Sequence, residues 1–214
     1  MDKANTSDEP TTSGRVRDKG NTSLTRIVHT IVLLAALASF QPASAEKTES
    51  AATSTALSKK ILQAAKTSVG KEMWKGYGLP NGKLGCAAAL CNVLKKADVS
   101  SVRTPLVTAM RRQLLNSRTV CSERIIRNGE GREINDKALL QDSQPGDILL
   151  AFEEPPSKLN GGTSAHCGIM GEATQVYTNN WVDGIWTEVE IHQMFDYYPY
   201  IRLLRLGGKK IGAG

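Results

Sequence analysis

A cysteine between a glycine-rich loop and an alanine-rich run constrains this chain more than any other feature. Residues 74–83 contain three glycines and a proline, and Gly85-Cys86 then opens the apolar run Ala87–Leu90. The first N–H groups of a helix have no intrahelical partner, and the helix dipole there favours an anion. A thiol at such a position ionises readily, so Cys86 is a candidate nucleophile. The alternative is a buried thiol that only packs.

A histidine that opens an apolar strand could supply the base. After the N-terminal region the chain holds only His166 and His192. The strand predicted from His166 places His166 and Cys167 on opposite faces of a sheet, because side chains alternate along a strand. His192 lies at a strand end near Asp196, as is typical of a solvated structural histidine. We therefore expect His166 to meet Cys86 in space, although the two are far apart in sequence.

Two neighbouring asparagines could complete a catalytic triad. Asn179 and Asn180 end the next predicted strand, and an amide oxygen can hold the tautomer of an imidazole ring as a carboxylate does. Strand parity cannot be carried across the intervening turn. The sequence therefore leaves both residues open, with a preference for Asn179, and the alternative is a polar turn ahead of Trp181.

The N-terminal region resembles an export signal. Residues 1–26 form a polar segment, and residues 27–45 form an apolar stretch that ends in the small-x-small pattern Ala43-Ser44-Ala45. This order is typical of a secretory signal peptide, with Glu46 as the first mature residue. Its fully apolar part is too short to span a bilayer, although an uncleaved anchor is the alternative. Both interpretations predict an exported protein, which is periplasmic, at the cell surface or extracellular.

The remaining chain predicts one α+β domain over residues 57–206, between a lead-in at 46–56 and a tail at 207–214. Apolar residues recur at helical spacing in three stretches and at strand spacing afterwards. Predicted helices cover about 57–69, 86–97 and 105–115, and predicted strands cover 148–152, 166–171, 175–181, 185–191 and 200–206. The span 118–140 predicts loops with a short strand or helical turn. Helices followed by antiparallel strands indicate an α+β fold.

The charge and the cysteine spacing limit the kinds of ligand and cross-link that the chain is expected to have. The net charge is +6, but the basic residues are dispersed without interleaved aromatics, which argues against a nucleic-acid groove. No CxxC or close histidine pair is present, so we expect no metal site and no cofactor. In an oxidising compartment, with the Cys86 thiol kept reduced, Cys91, Cys121 and Cys167 allow three disulfide pairings, with a weak preference for Cys91–Cys121.

The order of these features resembles the NlpC/P60 family of papain-like cell-wall cysteine peptidases and the related CHAP amidases. The motifs that carry the resemblance are Gly85-Cys86, Gln144–Leu149 and Ala165–Gly171, within residues 57–206. The resemblance implies N-terminal helices packed on a C-terminal antiparallel sheet. It also implies a thiol hydrolase, an endopeptidase or amidase, that cleaves amide bonds in peptidoglycan stem peptides. Cys86 would be the nucleophile, His166 the general base and then acid, and Asn179 or Asn180 the third residue.

The resemblance also implies an oxyanion and substrate region near Trp74, Tyr77 and Gly85. Where the family usually has Asp-Cys-Ser, this chain has Gly85-Cys86-Ala87, and it therefore lacks the carboxylate that would hold a substrate amine. Peptidoglycan is the implied partner, the chain is expected to be a monomer, and the sequence identifies no inhibitor or immunity protein. Two alternatives remain: a catalytically inactive surface module or inhibitor of the same fold, and a thiol acyltransferase.

Overall fold

The computed structural model describes residues 45–117, 119–129, 133–157 and 164–209. The predicted polar segment, and all but the last residue of the predicted signal region, lie outside these ranges. Within the described ranges, no helix is both long enough and apolar enough to cross a membrane.

The described residues form a mixed α and β structure with five helices and a six-stranded antiparallel sheet. The helices are α1 (Ala45–Lys66), α2 (Cys86–Lys96), α3 (Val107–Leu115), α4 (Asp136–Asp142) and α5 (Ile191–Phe195). The strands are β1 (Thr119–Asn128), β2 (Ile148–Phe152), β3 (Ala165–Met170), β4 (Gln175–Asn179), β5 (Trp186–Glu190) and β6 (Tyr200–Lys209).

Two segments differ from the sequence prediction. The helix α1 begins at Ala45, so the predicted lead-in is helical; no glycine or proline interrupts this stretch. The span 118–140, predicted mainly as loops, contains the ten-residue strand β1 and the helix α4. The strand β1 lies at the edge of the sheet and pairs only with β6. Edge strands commonly carry charges, which obscure the alternation that reveals a central strand.

The sheet places β3 between β2 and β4. The strand order is β1-β6-β2-β3-β4-β5, and every neighbouring pair is antiparallel. Ala151 of β2 lies opposite His166, and Gly168 of β3 lies opposite Thr178 of β4. His166 thus stands near the start of an internal strand, and Thr178 is its diagonal neighbour on the same face.

Both faces of the sheet are buried. One face packs against α1, α2 and α3 and contains Cys167 and Ile169. The other face packs against α4 and α5 and contains Met170. The strand β2 is buried at all five positions because its alternate side chains enter these two cores. Burial on both sides explains why β2 appears in the sequence as a continuous apolar run.

No disulfide joins the four cysteines, all of which lie in described ranges. The preferred pairing of Cys91 with Cys121 is therefore wrong. The Cys91 thiol lies within the helix-side core, with its sulfur 3.5 Å from the backbone oxygen of Thr104. Cys121 lies on the edge strand β1, opposite Leu206.

Candidate active site

Cys86 is the first residue of α2, as the sequence predicts. Gly85 precedes the helix and accepts a hydrogen bond from the Ala89 N–H at 2.8 Å, which starts the helical ladder. The Cys86 side chain is nearly buried, and its sulfur lies 3.8 Å from the backbone oxygen of Ala165. The thiol of Cys86 therefore faces the start of β3, beside the residue that precedes His166.

The loop before α2 is held by close contacts that require glycine. A Cβ at Gly82 would lie 2.3 Å from Trp74 Nε1 and 2.6 Å from Gly184 Cα, and a Cβ at Gly85 would lie 2.5 Å from Trp74 Cβ. The Gly85 N–H donates to the Gly82 oxygen at 2.9 Å. Asn179 Nδ2 donates to the same oxygen at 2.7 Å and so ties the loop to β4.

His166 is buried among aromatic rings. Its ring centroid lies 5.2 Å from those of Trp181 and Phe195 and 6.4 Å from that of Tyr198, whose plane is nearly parallel. These rings restrict the rotation of the imidazole and exclude water from most of its surface. His166 therefore lies on the α5 side of the sheet, opposite Cys167, as alternation along β3 predicts.

A threonine hydroxyl holds the far nitrogen of this ring. Thr178 Oγ1 lies 2.8 Å from His166 Nε2 and donates a hydrogen bond to the Cys167 backbone oxygen at 2.6 Å. A hydroxyl has a single proton, so at Nε2 it acts as the acceptor and Nε2 carries the hydrogen. This network assigns the tautomer in which Nε2 carries the hydrogen and Nδ1 can accept a proton.

Neither predicted asparagine holds the imidazole; the side chain at its far nitrogen is that of Thr178. Asn179 lies on the face opposite His166 and donates to the loop oxygen of Gly82, while its own Oδ1 is buried without a partner. Asn180 follows the end of β4, and its Oδ1 accepts a hydrogen bond from the Val182 N–H at 2.8 Å. The sequence leaves open which residues of β4 share a face of the sheet with His166. In the structure Thr178, the residue before the two asparagines, lies on that face.

The thiol of Cys86 is surrounded by groups that stabilise its anion. A hydrogen bond from the Cys167 thiol is the largest cause that holds the pKa of Cys86 well below its usual range. Burial opposes this shift, while hydrogen bonding and charge from His166 and the Ala87 backbone N–H reinforce it. Burial and the adjacent Cys86 anion raise the pKa of Cys167, so the proton remains on Cys167. In this pair Cys167 is the hydrogen-bond donor and Cys86 the acceptor.

The predicted aromatic residues do not line the cavity beside Cys86. Tyr77 lies near Cys91, and Arg103 stacks over its ring at 5.6 Å. Trp74 packs behind the loop, against Gly82 and Gly85, and its Nε1 is buried without a partner. These positions correct the expected oxyanion roles of Trp74 and Tyr77. Gly85 has no side chain to bind a substrate, and its role is to cap α2 where a Cβ would collide with Trp74.

Other residues that the sequence did not single out line this cavity. It encloses about 500 Å³ beside Cys86 and His166 and is also lined by Ser164, Trp181 and Tyr198. Burial raises the pKa of Tyr198 to about 12, opposed by a hydrogen bond with Ser164. The Tyr198 hydroxyl is therefore protonated at neutral pH and can donate to a substrate oxygen. No motif in the sequence marks it.

The second histidine forms a separate cluster. His192 Nδ1 lies 2.8 Å from Asp196 Oδ2, and Nε2 lies 2.7 Å from Asp136 Oδ1, which links α5 to α4. Burial alone would lower the pKa of His192, but hydrogen bonds and charge from the two carboxylates outweigh it and raise the pKa. This cluster is half-buried and structural. Among the described residues, no group of three or more His, Cys, Asp or Glu side chains is arranged to hold a metal ion.

Comparisons with solved structures find structural likenesses. The structure of NlpC1 from Trichomonas vaginalis is similar to this chain with a TM-score of 0.39 and 15% sequence identity, over 72% of this chain and 44% of that one. The chain thus spans less than half of the length of that protein, and a likeness this low carries no argument about the site. No protein-family model and no curated protein matches the sequence.

Proposed function

We propose that this chain is an exported cysteine hydrolase that cleaves amide bonds in peptidoglycan stem peptides. The observation that carries the proposal is the arrangement of three side chains. The Cys86 thiol lies at the first turn of α2, the His166 imidazole adjoins it, and Thr178 holds the far ring nitrogen. A nucleophile, a base and a group that orients the base are the components of thiol-dependent acyl transfer.

The thiolate of Cys86 attacks the carbonyl carbon of the scissile amide in the first step. His166 Nδ1 holds the proton from the thiol and gives it to the departing amine, while Nε2–H stays on Thr178 Oγ1. The product is a thioester on Cys86. Water then attacks the thioester carbonyl, and His166 accepts a proton from that water. The C–S bond breaks, which releases the carboxylic acid product and restores the Cys86 thiolate beside the protonated His166.

Donors for the developing oxyanion come from two places. The first-turn N–H groups of α2 have no intrahelical partner and point out of the helix at Cys86. The Tyr198 hydroxyl, which lines the same cavity, supplies a side-chain donor. Together these groups would stabilise the negative charge that forms only in the transition state.

We propose peptidoglycan as the substrate because of the order of motifs in the sequence. We propose export because residues 27–45 resemble a signal peptide. The Pro-Gly-Asp segment before β2 and the His-x-Gly-Ile segment of β3 are the parts that resemble cell-wall peptidases. Asp147 of the first segment is buried, and its carboxylate accepts hydrogen bonds from Arg205 at 2.9 and 2.7 Å. This motif thus anchors β2 to β6 and positions the sheet that holds His166.

The direct test is digestion of purified peptidoglycan, with the release of new amino termini as the readout. Cys86→Ala and His166→Ala should each abolish release while circular dichroism shows a folded protein. Cys91→Ala is the matched control in the same helix and should retain activity. Hydrolysis at the wild-type rate by folded Cys86→Ala would eliminate the proposal.

The same preparation separates the alternatives. Selective alkylation of Cys86 by iodoacetamide near neutral pH would distinguish an activated thiolate from an inert binding module. Product analysis with and without an added amine such as hydroxylamine would distinguish hydrolysis from acyl transfer. Transfer to the amine with no hydrolysis in its absence would replace the hydrolase by an acyltransferase.

A further inference from the structure

The cavity beside Cys86 has an apolar rim that the surrounding fold does not cover. Leu84 is 81% exposed, Leu106 is 48% exposed and Trp181 is 37% exposed, and all three line the cavity. They come from three different segments: the loop before α2, the residue that precedes α3, and the turn after β4. Large apolar side chains that remain exposed around a concave site mark a surface that binds apolar groups.

Apart from the proposed catalytic pair Cys86 and His166, the one described ionisable side chain at the rim of the same cavity that is charged at neutral pH is a lysine. Lys83 lines it, and none of the described lining residues is Asp or Glu. No described carboxylate forms an ion pair with Lys83, whereas Lys60, for example, pairs with Asp98 at 3.2 Å. The Lys83 ammonium is therefore available to a ligand carboxylate. An ammonium group of a ligand near Lys83 would meet a like charge and no carboxylate among the described lining residues.

On the basis of the proposed hydrolase activity, we propose that the cleft selects an acyl donor with an apolar side chain beside the scissile carbonyl and a carboxylate near Lys83. A donor with a free amino group in that position is rejected. Leu84, Leu106 and Trp181 contact the apolar side chain, and Lys83 pairs with the carboxylate. The substrate is thus an internal or acidic peptide segment, and Lys83 sets its charge preference.

Three matched chromogenic peptides test the charge preference. The probes are X-Ala-Leu-p-nitroanilides in which X is succinyl, acetyl or a free amino terminus, which gives a negative, a neutral and a positive end on the same dipeptide. The succinyl probe should exceed the acetyl probe in kcat/KM by about threefold and the free amine by about tenfold, as expected for a partly exposed ion pair. Added salt should reduce both ratios.

Charge reversal at Lys83 provides the sharper test. Lys83→Glu should invert the order, so that the free amine becomes the best probe, and Lys83→Met should make the three probes nearly equal. Lys59→Glu changes the net charge equally at an exposed position of α1 and should leave the wild-type order intact. Equal rates for the three probes with the wild-type protein, or an order that Lys83→Glu does not change, would overturn the inference.

The apolar rim is tested by the residue beside the scissile bond. Replacement of Leu by Gly in the succinyl probe should lower kcat/KM by about tenfold for the wild-type protein. The double variant Leu84→Ser, Leu106→Ser should lower this preference to about threefold; both positions are exposed, so the fold should persist. An unchanged preference for Leu in the double variant would remove these two residues from the site.

Failure of this inference is distinguishable from failure of the proposed function. If no probe is cleaved but iodoacetamide still titrates Cys86 selectively, the thiol is activated and the assigned acyl donor is wrong. If neither cleavage nor selective alkylation occurs, the proposed hydrolase activity fails as well.

Discussion

Two cysteines of one helix occupy opposite chemical environments. Cys86 and Cys91 both lie in α2 and are 9% and 1% exposed. The neighbours of Cys86 hold its pKa well below the usual range, whereas burial raises the pKa of Cys91. Cys86 has the helix N-terminus, His166 and a donating thiol around it, while Cys91 has a backbone oxygen and Tyr77 nearby. Thiol activation therefore depends on local donors and helix position, since both thiols are buried.

The largest expected effect is a difference in alkylation between these two thiols. At pH 7 an ordinary thiol is only a few per cent ionised, so Cys86 should react with iodoacetamide more than about thirtyfold faster than Cys91. The deeper burial of Cys91 should increase the ratio. Peptide mapping by mass spectrometry after brief labelling measures it. Equal labelling of the two cysteines in the folded protein would contradict the contrast.

A shift of the loop before α2 should reduce the difference in alkylation rate between Cys86 and Cys91. In Gly82→Ala the new methyl group would overlap Trp74 and Gly184, so the loop must shift and carry Cys86 with it. We expect alkylation of Cys86 to slow by more than about tenfold, because small displacements of catalytic groups are costly. The stability loss should be about 1–3 kcal/mol, as for other overpacked sites.

Gly70→Ala is the control for that experiment. Gly70 has a φ of +80°, and nothing lies within 4 Å of its Cβ position, so alanine strains the backbone without touching the loop. Gly70→Ala should reduce stability without slowing the alkylation of Cys86. A parallel loss of reactivity in both variants would show that general destabilisation is the cause.

A smaller effect should follow from removing the thiol donor. Cys167→Val keeps the site apolar, with a slightly larger side chain, and deletes the hydrogen bond that is the largest cause of the lowered pKa of Cys86. Alkylation of Cys86 at pH 6 should slow by about fivefold, as expected for one weak donor. Cys167→Ser retains a donor and should slow it less. Identical pH profiles of Cys86 alkylation in the two variants would show that altered packing, and not the lost hydrogen bond, slows the reaction.

The smallest effect concerns stability far from the thiol. The pKa of His192 is raised in the folded protein, so its ion pairs stabilise the fold below the unfolded pKa of about 6.5 and lose their effect as pH rises through the folded pKa. His192 is 36% exposed, so the effect should stay below about 1 kcal/mol. His192→Gln should therefore lower Tm most at pH 5 and hardly at pH 9, without changing the alkylation profile of Cys86. A constant difference in Tm across that range would contradict this linkage.

The sequence predicts the elements of the site better than their contacts. The start of α2 at Cys86 and the separation of His166 from Cys167 follow from local rules, namely helix initiation and strand alternation. The contact of Thr178 with His166 does not follow from local rules. Which residues of β4 share a face with His166 depends on the length of the turn between β3 and β4. The position of Tyr77 differs from the prediction for a related reason: the path of an irregular loop depends on packing against residues such as Arg103.

The span 118–140 is the part of the fold that the sequence predicts least well. The strand β1 mixes Glu123, Arg124 and Arg127 with apolar residues, so neither helical nor strand periodicity dominates. Its pairing with β6 supplies the missing information, which is non-local. The continuous apolar run of β2, in contrast, is recognisable without any partner.

The hydroxyl of Thr178 links the candidate active site to the alignment of the sheet. The same oxygen that holds the imidazole also bridges β3 and β4 through the Cys167 carbonyl. A slip of β4 by one residue would turn this side chain to the opposite face and present a different group to the ring. Insertions or deletions in the hairpin between these strands should therefore abolish the proposed activity even when the chain still folds, so the length of that hairpin is itself a requirement for it.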